Sequence, residues 1–179
     1  LFDPATSTFT PTGNMTSQRA FATATRLEDV AGSVLVAGGT NGVGFYYKTA
    51  DIYVPNGNGG SFQQQPVNMQ VSRAFHRATK LLGTGTVLLT GGFDGTNVLA
   101  NTEVFDKNTV AFTLASTMLE ARDFHTATVL ASGQAIVTGG GFNPNTSTVD
   151  VAAASSTEIL QRSNGEACSS PGECASGFC

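Results

Sequence analysis

The chain has 179 residues, of which 40% are hydrophobic and only 12% are charged, and its formal net charge is −4 at pH 7. This length is enough for one domain with a sizeable core. Because no basic cluster is present to neutralise phosphates, nucleic acid is not an expected partner. The longest apolar runs have four or five residues, as in VLVA at 34–37. A membrane-spanning helix needs about 20, so we expect no membrane span.

The composition favours an all-β protein. Neutral polar residues and 21 glycines stand where charged residues would be expected. Thr is β-branched and suits strands, whereas Gly suits turns. No apolar periodicity of 3.6 residues persists for any length, so we expect little helix. The chain begins at Leu1 without a signal-peptide pattern, and we interpret it as a processed or excised piece of a longer protein.

In chain order, the first predicted unit is a partial one over residues 1–14, with two strands that contain Phe2 and Phe9. Units of four strands then begin at about residues 15 and 69. A third unit begins at about residue 118 and supplies three strands up to residue 160. The last strand of a unit carries an aromatic residue, Phe9, Phe62 or Phe112.

These units share landmarks in a constant order. Each has an Arg-x-Phe segment, an Ala-Thr pair, an apolar strand and a Gly-Gly pair, followed by the segments TADIYVP, NTEVFDK and STEILQR. The arginines are 54 and 49 residues apart, and repetition at such a period indicates a duplicated structural unit. The recurring positions are Arg19, Arg73 and Arg122; His76 and His125; and the glycines Gly38, Gly39, Gly91, Gly92, Gly139 and Gly140.

The pattern Arg-x-x-His-x-Ala-Thr, an apolar strand ending in Gly-Gly and a Glu/Asp-x-aromatic strand resembles the kelch repeat. It is most similar to the bacterial kelch repeats that resemble the galactose oxidase propeller. The resemblance covers residues 1–162 and implies a kelch-type β-propeller with blades of four antiparallel strands. About three blades are present, as a partial or assembled propeller. Since three blades leave open edges, one hypothesis is a homodimer that completes a six-blade ring.

Recurrence favours structural roles for these positions, because a catalytic residue or ligand would occur once. We expect His76 and His125 to be packing residues. The arginines are expected to be hydrogen-bonding struts between neighbouring blades, with a binding role around the central channel as the alternative. Asp51, Glu103 and Glu158 are expected to accept hydrogen bonds from loop amides within each blade.

The resemblance to galactose oxidase raises the possibility of copper, whose site in that family needs tyrosines, histidines and a cysteine. The repeats contain no cysteine, and Tyr46, Tyr47 and Tyr53 have no counterpart ligands. The glycine-rich stretch at 38–44 lacks the Gly-Lys-Ser/Thr ending of a phosphate loop. We therefore expect no catalytic residue, metal or cofactor in this chain, and no enzyme activity of its own.

The segment 163–179 differs from the repeats, because it contains Cys168, Cys174 and Cys179 and has almost no apolar residues. These cysteines are disulfide candidates, and zinc is the weaker alternative because their spacing is wide. An odd number leaves at least one cysteine without a partner in this chain. The segment resembles the start of the Cys-rich repeats that follow propellers in secreted myxobacterial proteins. This implies an extracellular, cell-surface or periplasmic location.

The predicted function is that of a secreted or surface module for binding and scaffolding, with protein or glycan as the partner. The first alternative is the propeller part of a galactose-oxidase-like carbohydrate or alcohol oxidase, whose catalytic residues are absent from this chain. The second is a structural subunit that assembles through open blade edges.

Overall fold

The computed structural model describes residues 1–57, 59–63, 67–143, 148–149 and 157–160. Over these residues the protein is all-β and contains no helix, which confirms the predicted fold class. Consequently, no helix in the described ranges has the length and apolarity needed to cross a membrane. The tail 163–179 with its three cysteines lies outside the described residues, so the disulfide prediction stays a prediction.

The strands are short and antiparallel throughout. They are β1 (Phe2–Asp3), β2 (Thr8–Phe9), β3 (Thr23–Arg26), β4 (Val34–Ala37), β5 (Thr49–Asn56), β6 (Gly59–Phe62), β7 (Val67–Asn68), β8 (Arg77–Lys80), β9 (Thr86–Thr90), β10 (Thr102–Asp106), β11 (Ala111–Leu114), β12 (Thr126–Val129), β13 (Ala135–Thr138), β14 (Phe142–Asn143), β15 (Thr148–Val149) and β16 (Thr157–Leu160).

Three sheets correspond to the three repeats. The first sheet has the order β3-β4-β5-β6, with β7 also paired to β5, and the second has the order β8-β9-β10-β11. The third sheet has three described strands in the order β12-β13-β16. Apart from β7, the first sheet has the four strands that the repeat pattern predicts, and the second and third sheets have the predicted four and three. The short strands β7, β14 and β15 were not predicted.

The apolar run before each Gly-Gly pair forms a central strand, as expected from its lack of polar residues. In β9, four of the five residues are buried, because β8 and β10 flank it and neighbouring sheets cover both faces. The first strand of each sheet lies beside that of the next, β3 beside β8 and β8 beside β12. The sheets therefore stack as propeller-like blades, and the described ones do not close into a ring.

Two apolar clusters fill the spaces between the sheets. The first joins residues of β4 and β5, such as Leu35 and Ile52, to Leu89, Phe105 and Phe112 of the second sheet. The second cluster lies between the second and third sheets. It contains Leu81, Leu88, Met118, Ala135 and Val137.

The N-terminal hairpin β1–β2 repeats the geometry of the outer hairpin β10–β11. Phe2 pairs with Phe9 in the same register in which Phe105 pairs with Phe112. The ring centroids are 5.0 Å apart in both pairs. Phe9 is 82% exposed, however, whereas Phe112 is 5% exposed. The hairpin is thus the outer half of a blade that has no inner strands beside it among the described residues.

Candidate functional site at the inner ends of the blades

The recurring residues converge at the start of the innermost strand of each sheet. Residues 19–22, 73–76 and 122–125, called here the inner segments, directly precede β3, β8 and β12. Each carries an arginine and a phenylalanine, and the second and third also carry a histidine. Because the innermost strands are neighbours, the inner segments form a row along one edge of the stacked sheets.

The arginine of each inner segment ties together the ends of the two central strands of its own sheet. Arg73 donates from Nη1 to the carbonyl oxygens of Gly91 at 2.6 Å and Asn101 at 3.3 Å. Its Nη2 donates to Asn101 Oδ1 at 3.1 Å and to Glu103 Oε1 at 2.8 Å. Both charged side chains are fully buried. Burial lowers the pKa of Arg73, and the Glu103 carboxylate opposes that shift.

The other arginines repeat this arrangement. Arg19 pairs with Asp51 at 3.0 Å, and Arg122 pairs with Glu158 at 3.1 Å. All hydrogen bonds of the Arg19 and Arg73 side chains are made within their own repeats. The prediction that these side chains are struts between neighbouring blades is therefore wrong. The guanidinium reaches back to its own sheet because the nearest carboxylate and carbonyl acceptors lie there.

The acidic partners also hold the chain that enters each repeat. Glu103 accepts hydrogen bonds from the backbone N–H groups of Gln70 at 2.7 Å and Val71 at 3.0 Å. Asp51 accepts from the backbone and hydroxyl of Thr16, at 3.2 and 2.6 Å. Glu158 accepts from two backbone N–H groups, those of residues 119 and 120. The predicted role of these carboxylates as acceptors for loop amides is confirmed.

Main-chain atoms connect neighbouring repeats, whereas the hydrogen bonds of the Arg19 and Arg73 side chains do not. The N–H of Gly39 donates to the carbonyl oxygen of Arg73 at 2.8 Å, and the N–H of Gly92 donates to that of Arg122 at 2.7 Å. Gly91 and Gly92 have φ of 58° and 103°, a left-handed region that favours glycine. A Cβ at Gly91 would also overlap the Arg122 carbonyl oxygen. The Gly-Gly pair therefore permits the close approach of two repeats.

The histidine side chains bridge neighbouring repeats. His76 Nε2 lies 2.9 Å from the hydroxyl of Thr23 in the first repeat, and His125 Nε2 lies 2.7 Å from the hydroxyl of Thr90 in the second. Both rings are almost completely buried. Thr23 lies on the first strand of its sheet and Thr90 on the second strand. The hydroxyl therefore reaches each histidine from a different strand.

Both histidines are held in the neutral form. Burial, together with the charges of Arg77 and Arg122, lowers the pKa of His125 to about 4. Burial and the charges of Arg73, His125 and Arg77 hold the pKa of His76 well below its usual value. The Nδ1 atoms of both rings are buried without a hydrogen-bond partner. A neutral ring with its proton on Nε2 donates a hydrogen bond to the threonine hydroxyl. Its unprotonated Nδ1 is then only an acceptor, so no buried N–H group lacks a partner.

Three phenylalanines form a continuous row across the inner segments. The ring of Phe75 lies 4.5 Å from that of Phe21 on one side and 4.5 Å from that of Phe124 on the other. Their main chains are linked in the same order, from the N–H of Phe75 to the oxygen of Phe21 and from the N–H of Phe124 to the oxygen of Phe75. All three have left-handed φ, between 51° and 59°. Such a backbone is strained for a bulky residue.

The row is also partly open to solvent, since Phe21 is 58% and Phe124 is 43% exposed. These phenylalanines are landmarks of the repeat pattern, but no role was predicted for them. Their recurrence two residues after each arginine was the available signal. A strained and exposed apolar residue that recurs in the same place is not explained by core packing, because the core lies between the sheets.

The tyrosines considered for a metal site do not join the histidines. Tyr46 packs on Phe93, Tyr47 lies under the Arg19 guanidinium, and the Tyr53 hydroxyl lies 2.8 Å from that of Thr12. Within the described ranges, no group of three or more His, Cys, Asp or Glu side chains is placed to hold a metal ion. The described residues therefore do not fit a copper site.

No family model matches the chain, and no curated protein matches it at a significant level. Among solved structures, a fungal alcohol oxidase of the AA5 family, solved in complex with copper, is similar to this chain, with 22% sequence identity and a TM-score of 0.60. The similarity covers 69% of this chain and 27% of the oxidase chain. It shows an all-β fold related to that of the galactose-oxidase-like proteins.

Proposed function

We propose that the chain is part of a kelch-type β-propeller that acts as a secreted or surface module for binding and scaffolding. The row of Phe21, Phe75 and Phe124 is the proposed contact surface. The observation that carries this proposal is that three partly exposed rings share a strained backbone conformation. Strain of this kind persists only where the surroundings enforce it, and it concentrates at binding sites.

The framework around the row is suited to a preorganised surface. Buried ion pairs, the Gly-Gly contacts and the histidine bridges fix the main chain directly beside each phenylalanine. Side chains that are already ordered lose little conformational entropy when a partner binds. The rings therefore present an apolar surface at low entropic cost.

Ring geometry favours a protein partner over a glycan. Phe75 and Phe124 are stacked with an interplanar angle of 21°, and Phe75 has a second ring on its other side. Phe124 therefore covers one face of Phe75 and the tilted ring of Phe21 also packs against it, whereas stacking on a sugar needs an open ring face. Ring edges in a row provide an apolar strip that suits aliphatic or aromatic side chains of a polypeptide. We propose that such side chains are the ligand.

The test uses Phe124→Asn and Phe21→Asn, because asparagine tolerates the left-handed backbone while the ring is removed. Phe45→Asn is the matched control, since Phe45 is 59% exposed and lies outside the row. Peptides selected from a displayed random library against the unaltered protein should be apolar. They should bind the Phe124→Asn protein at least about tenfold more weakly, which corresponds to about 1.4 kcal/mol, and the control equally well.

Selected peptides that bind the row variants as well as the unaltered protein would contradict the proposed surface. Binding to an immobilised glycan panel that depends on Phe21 or Phe124 would instead replace protein by glycan as the partner. Thermal unfolding of each variant, compared with the control, separates a loss of contact from a loss of fold.

A second candidate function rests on the structural similarity to the alcohol oxidase. In this candidate the chain is the propeller part of a carbohydrate or alcohol oxidase, and the metal ligands lie outside the described residues. Metal analysis and a peroxide-release assay on the protein that contains this chain, with alcohols and galactose as substrates, test it. Stoichiometric copper with substrate-dependent peroxide would establish the oxidase in place of the binding module.

The third candidate is a structural subunit that assembles through open blade edges, including a homodimer that completes a six-blade ring. Its supporting observation is the exposure of Phe2 and Phe9 in hairpin β1–β2, since the equivalent Phe105 and Phe112 of β10–β11 are buried. Light scattering after size-exclusion chromatography tests it directly, because a stable monomer at micromolar concentration contradicts it.

A further inference from the structure

The third sheet has an outward face that is partly open to solvent. Ala135 and Val137 of β13 belong to the second apolar cluster, which faces the second sheet. Because side chains alternate along a strand, Ile136 between them points the opposite way. Its register partner on β16 is Ile159, which is 49% exposed. These two isoleucines form the centre of the outward face.

Among the described residues, the outward face carries no charged side chain. Register partners on neighbouring strands share a face of the sheet, so the positions beside the isoleucines are threonines of β12, β13 and β16. An uncharged face of β-branched side chains is suited to packing against another sheet. Its described residues are Thr126, Thr128, Ile136, Thr138, Thr157 and Ile159.

The first sheet shows what covers the equivalent face within this chain. There the pair that corresponds to the two isoleucines is Leu35 and Ile52. Both are buried in the first apolar cluster, together with Phe105 and Phe112. These two rings belong to the hairpin β10–β11, the outer half of the second sheet. A face of this type is thus covered by the two phenylalanines of a neighbouring outer hairpin.

The N-terminal hairpin β1–β2 is a second hairpin of this kind, and its rings are uncovered. Phe2 is 52% and Phe9 is 82% exposed. Directly after the hairpin, the Thr12 hydroxyl donates to the carbonyl oxygen of Gly60 at 3.1 Å, which attaches this part of the chain to the first sheet. The sheets stack in chain order, so the third sheet lies at the other end. The described chain therefore exposes the two complementary halves of one sheet-to-sheet contact at its opposite ends.

We propose that the outward face of the third sheet binds the hairpin β1–β2 of a second copy of this chain. Phe2 and Phe9 of that copy cover Ile136 and Ile159, in the manner of the first apolar cluster. The intervening sheets keep the two surfaces of one copy apart, so the contact forms between copies. Because it joins two different surfaces, the association is head-to-tail and continues until a ring closes.

This contact is independent of the proposed phenylalanine row, which lies along the inner edge of the sheets. It specifies the two surfaces through which the third candidate function, the structural subunit, would assemble. Phe124→Asn should therefore leave the association unchanged, whereas substitutions in the hairpin should leave peptide binding to the row unchanged. The failure of one proposal is in this way distinguishable from the failure of the other.

The first experiment is analytical ultracentrifugation of the full chain at rising protein concentration. The unaltered protein should be monomeric when dilute and should associate as its concentration rises. Phe9→Asp and Ile159→Asp should each weaken the association at least about tenfold, because each places a charge against an apolar surface. Val30→Asp is the matched control, since Val30 is fully exposed in the turn between β3 and β4 and belongs to neither surface. It should associate like the unaltered protein.

The second experiment mixes the two variants, which a loss of fold cannot imitate. The Phe9→Asp protein keeps an intact sheet face, and the Ile159→Asp protein keeps an intact hairpin. Mixed in equal amounts, they should form a heterodimer through one intact contact, although neither associates with itself. A protein with both substitutions should associate with neither of them.

An unaltered protein that stays monomeric up to its solubility limit would overturn the proposal. So would a mixture of the two variants that stays monomeric, because a head-to-tail contact requires complementation. If Ile159→Asp lowers the Tm and leaves the association unchanged, the outward face is covered within one copy and the proposal is wrong.

Discussion

Acidification should destabilise this protein through its two histidines. The unfolded chain binds a proton on each imidazole near the ordinary pKa of 6.5, whereas the folded protein binds it on His125 only at about pH 4. Between these values the unfolded state holds more protons, so the free energy of unfolding falls as the pH is lowered. Above about pH 7 neither state is protonated, and this contribution is then fully present.

The magnitude follows from the separation of the two pKa values. For His125 the lowering from 6.5 to about 4 corresponds to about 3 kcal/mol over the whole window, at about 1.4 kcal/mol for each pKa unit. About 2 kcal/mol of this should be lost between pH 7 and pH 5. His76 is equally buried and its pKa is lowered in the same direction, so it adds to the loss. Such a change is a large part of the stability of an ordinary domain.

Urea unfolding at several pH values between 4 and 8 measures the effect. The slope of unfolding free energy against pH should be smaller in His125→Gln and smaller again in the double variant with His76→Gln. The chain has only these two histidines, so the difference in slope belongs to them. A double variant with the slope of the unaltered protein would refute the reasoning. If the variants do not fold, ring resonances of the unaltered protein that titrate near pH 6.5 would refute it equally.

Three further predictions concern stability and are read from urea unfolding at pH 7.5. Gly91→Ala should lower the free energy of unfolding by about 1–3 kcal/mol more than Gly83→Ala. Both glycines have left-handed φ, but only Gly91 faces a neighbouring carbonyl oxygen. Equal losses in the two variants would show that the close approach of the two repeats is unimportant. Glu103→Gln should cost about 3–5 kcal/mol, since it leaves a buried guanidinium without its counter-charge, and a loss below about 1 kcal/mol would contradict this. Phe105→Ala should cost about 3–5 kcal/mol, whereas the equivalent but exposed Phe2→Ala should stay within about 0.5 kcal/mol; similar costs would show that the two hairpins are equally packed.

The strands were predictable because each repeat encodes them in three independent ways. The order of strands is determined by three signals together: an apolar run such as VLVA, the Gly-Gly pair after it, and an alternating segment such as TEVF. Three copies of that order removed the ambiguity that a short apolar run has on its own. The short strands β7, β14 and β15 lack such a signature, since two residues are too few to show a period.

The site was less predictable, because its contacts depend on which acceptor a side chain can reach. Recurrence indicated that Arg73 matters, but periodicity does not state whether its guanidinium turns to its own sheet or to the next one. The left-handed backbone at Phe75 was equally hidden, since such conformations are unfavourable for phenylalanine and only the surrounding contacts enforce them. The sequence thus predicted which positions matter and that the carboxylates accept from loop amides, but not which sheet the guanidinium groups reach.

The histidine bridges show that one contact can be encoded at either of two sequence positions. In the first repeat the hydroxyl that contacts the histidine belongs to Thr23, whose cross-strand partner is Ala37. In the second repeat it belongs to Thr90, whose cross-strand partner is Arg77. A column-by-column comparison of the repeats would score both positions as variable, although the hydroxyl always occupies the same point in space. Covariation between the paired columns, rather than invariance within either, is therefore the signature by which further blades of this type can be recognised.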